Sequence, residues 1–352
     1  MQIEFQEITT IPESLLSISA SELHSILPKP TILHLDGKKK PPLLISCLLH
    51  GNEHSGFLMV QNILKNFLRD NTLARETYFL FGNVDAAAKN QRKLDHQPDF
   101  NRIWRDERHP LVKRVLELVK EKNFMAAIDL HNNTGRNPHY ACVSQAKAEH
   151  INLALLFSPH LVYFTAPDST LSVVLSKTIP ALTLECGLSL DPEICEKGQN
   201  FLNALYRLDN LPKTLPCQNT CRLQQSTVNI KVPSLARVGY GNLSAHNELQ
   251  SLSKDFDIIL RSDLDTLNFT EIKKSEVLAF VENPEFDLVL NYLEPAHALI
   301  HKKRSYMYKK DSYFYIEPGL TPSMLTLNAK IMKEDCLGYL MIPIEIKNEA
   351  ST

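Results

Sequence analysis

Four short stretches of this chain concentrate residue types that can do chemistry. His50-Gly51-Asn52-Glu53 directly follows an apolar run, LLISCLL, at residues 43–49. Imidazole and carboxylate together suit zinc, although the same spacing also fits an ordinary polar loop. Asp129-Leu130-His131 closes a second run, MAAIDL, at residues 125–130, and Glu185 follows a third, ALTL, at 181–184. In open α/β sheets, ligands bind just past the carboxyl ends of the strands, and all three groups would sit there. A catalytic zinc takes three protein ligands and keeps one position open for water. His50, Glu53 and His131 supply that number. A glutamate outside the ligand set, Glu185, fits a general base that takes a proton from the attacking water and returns it to the leaving group. Asp129, two before His131 on one face of an extended segment, reads as a group that orients the imidazole or as a strand-end carboxylate.

The fourth stretch is Arg92 with Asp99-Phe100-Asn101-Arg102. An arginine can polarise a carbonyl and stabilise its oxyanion. A second arginine beside an asparagine can grip a carboxylate through paired hydrogen bonds. Several other polar residues read as structural. His54, His96, His109 and His139 lie near the motifs but read as solvated or hydrogen-bonded loop residues. Cys186, beside Glu185, has no evident His or Asn partner and reads as a small buried thiol. Cys217-x3-Cys221 lacks the matching second pair a metal site would need, and His301-Lys302-Lys303-Arg304 reads as a solvated turn.

These residues require a scaffold that brings strand ends together. Between residues 30 and 209, short apolar runs alternate with helical patterns. The runs at 43–49, 77–81, 125–130, 161–164 and 181–184 read as strands. Phe57, Val60, Leu64 and Phe67 recur at helical spacing, and residues 111–122 put Leu111, Val115, Leu116 and Val119 on one helix face behind Pro110, a favoured first helical residue. Such alternation predicts an α/β fold with a mostly parallel sheet. After LPKTLPC at 211–217 the segments 227–232, 256–260, 277–281 and 312–316 are short and strand-like. They predict a boundary near residue 215, with residues 1–215 as one domain and 216–352 as a smaller β-rich one.

Composition narrows the function classes. Over 352 residues, Lys+Arg is 38 and Asp+Glu is 40, a net charge of -2, so the electrostatic footprint of a nucleic-acid binder is missing. With 43% hydrophobic and 22% charged residues, the chain reads as an ordinary globular protein. No apolar run approaches the 18 or more residues of a membrane span, and MQIEFQEITT does not read as a signal peptide. With seven cysteines at irregular spacing, the expectation is reduced thiols in a cytoplasmic protein.

Taken together, the motifs resemble the zinc carboxypeptidase superfamily and, within it, the aspartoacylase/succinylglutamate desuccinylase family. The resemblance rests on His50-Gly51-Asn52-Glu53, Arg92, Asn101-Arg102, Asp129-Leu130-His131-Asn132-Asn133-Thr134 and Glu185-Cys186-Gly187, and it covers about residues 40–210. It is weaker afterwards, although Leu325-Thr326-Leu327-Asn328-Ala329-Lys330 also looks like the tail of aspartoacylase. It implies a three-layer α/β domain and a C-terminal β domain that narrows the active-site entrance. It also implies one Zn²⁺ on His50, Glu53 and His131, and Glu185 as base and acid. Arg92 would assist the carbonyl, and Asn101 and Arg102 would take the substrate's free carboxylate. Aspartoacylase carries a tyrosine and an arginine shortly before its base, whereas residues 170–184 here, TLSVVLSKTIPALTL, hold neither. That argues against N-acetylaspartate. A tyrosine supplied from the C-terminal domain would come from Tyr306, Tyr308, Tyr313 or Tyr315.

The reading is a zinc amide hydrolase acting on a small anionic N-acyl amino acid, with no nucleic-acid or membrane partner. Its rivals are a metallocarboxypeptidase acting on a peptide or cell-wall fragment, and an inactive ligand-binding protein. The oligomeric state is not readable.

Overall fold

The computed structural model describes residues 2–70, 72–189, 192–216, 220–293 and 304–345. Cys217 of the cysteine pair and His301, Lys302 and Lys303 of the basic run lie outside the described residues. The chain divides into two units, one built chiefly from Met1–Asn133 and His139–Leu223, the other from Thr134–Pro138 and Gln224–Ile344.

In the first unit the strands are β1 (Gln6–Ile8), β2 (Thr31–Leu35), β3 (Gly37–Cys47), β4 (Leu73–Phe81), β5 (Ala126–Asn133), β6 (Tyr140–Val143), β7 (His160–Tyr163) and β8 (Ala181–Leu188). They lie in the order β1-β2-β4-β3-β5-β8-β6-β7. The central neighbours β4, β3, β5 and β8 all run parallel, while β2/β4 and β8/β6 are antiparallel. The sheet is therefore mixed and mostly parallel, as the alternating pattern predicts. The helices used below are α1 (Ser55–Asp70), α2 (Val84–Ala88), α3 (Pro110–Lys122), α4 (Ala148–Leu155), α5 (Leu171–Leu175) and α6 (Pro192–Arg207).

Successive residues of a strand face opposite sides of the sheet. Leu44, Tyr78, Leu80, Ala127 and Ala181 share a core with Leu111, Val115, Leu118 and Val119 of α3 and with Leu171 and Leu175 of α5. The alternate residues serve the other face. There Phe81 meets Phe57 of α1 edge-on at 6.1 Å, and Thr77 Oγ1 bonds Tyr206 Oη of α6 at 2.8 Å. Helices thus cover both faces, which makes three layers. Pro110 occupies the first position of α3, where its missing N–H removes no helical bond.

The strand expected over 43–49 ends at Cys47. Leu48 then takes φ +58°, a left-handed conformation uncommon for a branched side chain. Its carbonyl accepts from Asn83 N, the residue that caps α2, at 2.6 Å. This turn delivers His50. Gly51 follows because a Cβ there would lie 2.2 Å from the α2 backbone at Ala86 and Ala87.

In the second unit, β9 (Arg222–Lys231) pairs with β13 (Val289–Tyr292) and β17 (Gly338–Pro343), and β17 pairs with β16 (Thr321–Ser323). A separate sheet runs β10 (Val238–Gly241), β11 (Ile258–Arg261), β12 (Glu276–Phe280), β15 (Tyr313–Ile316), β14 (Met307–Lys310). Val228, Ile230, Leu260, Leu278, Phe314, Ile316 and Leu340 belong to one core. Thr134–Pro138, directly after β5, joins this unit: Asn137 Oδ1 accepts from Met324 N at 2.9 Å. Tyr308 and Tyr315 stack at 4.9 Å, Tyr313 meets Phe280 at 5.0 Å, and Tyr306 is buried against Tyr292. Among the described residues, no helix is long and apolar enough to cross a membrane.

The seat of α1 is tight. A Cβ on Gly56 would come within 2.7 Å of Leu130 Cβ and 3.1 Å of Cys47 Cβ. Overpacking of this kind costs about 1–3 kcal/mol. Gly56→Val should therefore lower the urea midpoint with an unchanged slope. A midpoint equal to that of the wild type would show that α1 is not held this closely.

Candidate active site

Three motif residues converge where β3 and β5 end. His50 Nδ1 lies 2.8 Å from Glu53 Oε1, and His131 Nδ1 lies 2.7 Å from Glu53 Oε2. The two imidazole rings meet edge-on at 4.9 Å between centroids. All three side chains are buried, and their donor atoms lie within 4.8 Å of one another. Burial works against a charge on Glu53, but attraction from His50 and His131 outweighs it and holds the carboxyl well below the usual range. Two imidazole nitrogens and an ionised carboxylate, gathered in a buried pocket, are a donor set that fits a divalent metal.

The outer nitrogens of both rings are also fixed by carboxylates. His131 Nε2 donates to Asp129 Oδ2 at 2.8 Å, and His50 Nε2 faces Asp99 Oδ1 at 3.2 Å. A proton held at Nε2 leaves the Nδ1 lone pair of a neutral imidazole for a metal, the usual role of such partners. Burial also opposes a charge on His131, yet Asp129 and Glu53 together raise its pKa well above the ordinary value. The Glu53 end is anchored as well. Asn132 N donates to Glu53 Oε2 at 3.1 Å, while the Asn132 amide bonds Ser55 at the start of α1 and the Gly187 carbonyl on β8.

Arg92, Asn101 and Arg102 are gathered beside this cluster. Arg92 donates to Asp99 Oδ2 through Nε and Nη2, at 3.2 and 3.0 Å, so one carboxylate ties Arg92 to His50. Burial opposes ionisation of Asp99, but His50, Arg92 and Arg102 keep its pKa depressed. Asn101 Oδ1 accepts from Leu171 N at the start of α5, at 3.0 Å, which fixes the amide's orientation. Its Nδ2 then lies 3.3 Å from His131 Nε2. That nitrogen already gives its proton to Asp129, so the Asn101 N–H groups stay available to an incoming acceptor. Arg102 Nη1 donates to the Asn101 carbonyl at 2.9 Å.

Glu185 is the direct register partner of His131 across β5 and β8, so the two side chains share a face. It is 7% exposed, and its Oε2 is buried with no hydrogen-bond partner among the described residues. Burial is the main cause of a pKa pushed up to about 8; Glu53 and Asp129 add to it, while His131 and Arg92 oppose it. Such a carboxyl is suited to exchanging protons near neutral pH.

Among the residues read as structural, His54 and His109 are tied to the backbone and Cys186 is a buried thiol. His54 Nε2 bonds the Gly51 carbonyl at 3.0 Å, and His109 Nδ1 accepts from Ile3 N at 3.2 Å. Burial pushes the Cys186 thiol well up, away from the thiolate a nucleophile needs. Sequence reasoning did not give Asp99 its bridging role. The signal was present in the sequence: a carboxylate two residues before Asn101, between two arginines.

No curated protein matches the chain. Among solved structures, succinylglutamate desuccinylase from Vibrio parahaemolyticus shares 13% identity, with 89% of this chain and 86% of that one covered and a TM-score of 0.56. A succinylglutamate desuccinylase/aspartoacylase from Rhodobacter sphaeroides shares 13% identity over 89% of both chains, with a TM-score of 0.53. Succinylglutamate desuccinylase from Chromobacterium violaceum shares 18% identity over 75% of this chain and 89% of that one, with a TM-score of 0.50. At these identities the likeness concerns the fold. Residues 39–208 match the model of the succinylglutamate desuccinylase/aspartoacylase catalytic domain, and that span holds all of the clustered residues. Residues 39–208 are thus a catalytic domain of the succinylglutamate desuccinylase/aspartoacylase type.

Proposed function

We propose that this protein is a zinc-dependent amide hydrolase that removes the acyl group from a small N-acyl amino acid. The observation that carries this reading is the buried His50–Glu53–His131 cluster with Glu185 in register beside it. The catalytic-domain match and the desuccinylase names of the similar structures support the acyl amino acid as substrate class.

In this reading His50, Glu53 and His131 hold one zinc. When bound there, zinc supplies a Lewis acid for the scissile carbonyl and for water. The chain does the rest. Asp99 and Asp129 keep the two imidazoles in the tautomer that turns Nδ1 inward. Glu185 accepts a proton from the attacking water and returns it to the leaving amine. Arg92, aimed by Asp99, donates to the carbonyl oxygen as charge develops on it. Arg102 and the Asn101 amide receive the substrate's carboxylate. Residues 170–184, which lead to β8, hold neither an arginine nor a tyrosine to clamp an aspartate side chain. We therefore favour an N-acyl amino acid other than N-acetylaspartate.

Two variants separate the metal from the proton carrier. His131→Ala should lose zinc by elemental analysis. Glu185→Gln should keep it while turnover falls about 10²- to 10⁴-fold. Near-normal turnover in zinc-loaded Glu185→Gln, or equal zinc in wild type and His131→Ala, contradicts the assignment.

The substrate class is tested by kcat/KM of zinc-loaded protein on N-succinylglutamate, N-acetylaspartate and a blocked tripeptide. N-Succinylglutamate should be preferred. A tenfold preference for the tripeptide, about 1.4 kcal/mol of transition-state binding, would place the protein with the carboxypeptidases instead.

A further inference from the structure

Asn133 is the last residue of β5, two positions past His131. The register with β8 moves from His131↔Glu185 to Asn133↔Leu188, so the extra residue lies on β8 and the alternation of β5 continues unbroken. Asn133 therefore shares a face with His131 and Glu185. Its residue surface is 6% exposed. Neither its amide oxygen nor its amide nitrogen has a hydrogen-bond partner among the described residues.

The two neighbouring asparagines behave differently. Asn132 spends its amide on Ser55 and Gly187, and the Asn101 oxygen is fixed by Leu171 N. A buried carboxamide with both ends unmatched carries the desolvation penalty of a donor and an acceptor. Its position on the face of the candidate active site indicates where the missing partners come from. We infer that Asn133 reads the acyl group of the substrate. It selects acyl chains that carry a hydrogen-bonding group, a carboxylate or an amide, a few atoms beyond the scissile carbonyl.

Direction along the strand supports this end of the substrate. Asp129 lies before His131 on β5, and Asn101 approaches the same Nε2 atom that Asp129 holds. The carboxylate grip of Asn101 and Arg102 is thus on that side. Asn133 lies on the other side, about 7 Å farther along the strand. A three- or four-atom acyl chain and one hydrogen bond span that distance. The inference rests on the deacylase reading above and adds the class of acyl group.

The test compares N-succinylglutamate, N-succinamoylglutamate and N-butyrylglutamate, which share chain length and differ in the terminal group. Zinc-loaded wild type should prefer the two polar acyl groups over butyryl by ten- to a hundredfold in kcat/KM. In Asn133→Leu that ratio should fall to near one while butyryl turnover is kept. Asn133→Asp should discriminate against succinyl by like charge and still accept succinamoyl. A second readout needs no turnover: because its amide is unmatched, Asn133→Leu should melt no lower than wild type. An unchanged acyl preference in Asn133→Leu, or a melting temperature several degrees lower, overturns the inference and leaves the deacylase reading standing. A wild type that hydrolyses N-butyrylglutamate with no preference for the two polar acyl groups does the same. A wild type that hydrolyses none of these N-acyl amino acids overturns both.

Discussion

Glu53 sits between two imidazoles in a buried pocket, and its charge is held there by His50 and His131. An ionised carboxylate in such surroundings is costly unless its partners stay in place. Removing one member of a buried pair typically costs about 3–5 kcal/mol. The three side chains come from the turn after β3, the approach to α1, and β5, so those elements are fixed relative to one another by this constraint. A divalent metal would resolve the same constraint differently, by placing a positive charge where the nitrogens and the carboxylate converge.

Much of the first unit can be understood as support for that point. The turn at Leu48 brings His50 in on α2, and Gly51 lets the backbone approach that helix closely. Gly56 lets α1 rest on β5 beside His131. Asn132 links Glu53, Ser55 and the bulged segment of β8. Asp99 and Asp129 hold the outer nitrogens, and Asp99 also carries Arg92. Each of these polar groups satisfies another, which is the condition for a buried polar network to order a site rather than weaken it. Asp129 Oδ1, both amide ends of Asn133 and Glu185 Oε2 are buried with no partner among the described residues, and Asn133 and Glu185 lie on the face where substrate would lie.

The parallel core was legible because strands buried on both faces read as apolar runs, and His50, His131 and Glu185 follow such runs directly. Their type and position pointed to the gathering of His50, Glu53 and His131 and to Glu185 at the same sheet edge, but not to the direct register of Glu185 with His131. The antiparallel insertion of β6 beside β8 was not legible, because its few residues, YACV, lack an alternation that separates them from a loop. Nor was the bridging role of Asp99, which depends on how the long segment between α2 and α3 folds back. Nothing in the composition of Thr134–Pro138 marks it as part of the second unit; that follows from its contacts with Leu325 and Met324. The unmatched amide of Asn133 is visible only once every neighbour's partners are known.

The central claim is that the inward-facing Nδ1 atoms of His50 and His131, with Glu53 between them, are a metal site. Anomalous diffraction at the zinc edge, from crystals grown with zinc, tests it most directly. The account predicts one peak bonded to both Nδ1 atoms and a Glu53 oxygen at about 2.0–2.2 Å, with the Nε2 atoms still turned to Asp99 and Asp129. A peak elsewhere, or coordination through Nε2, would contradict it.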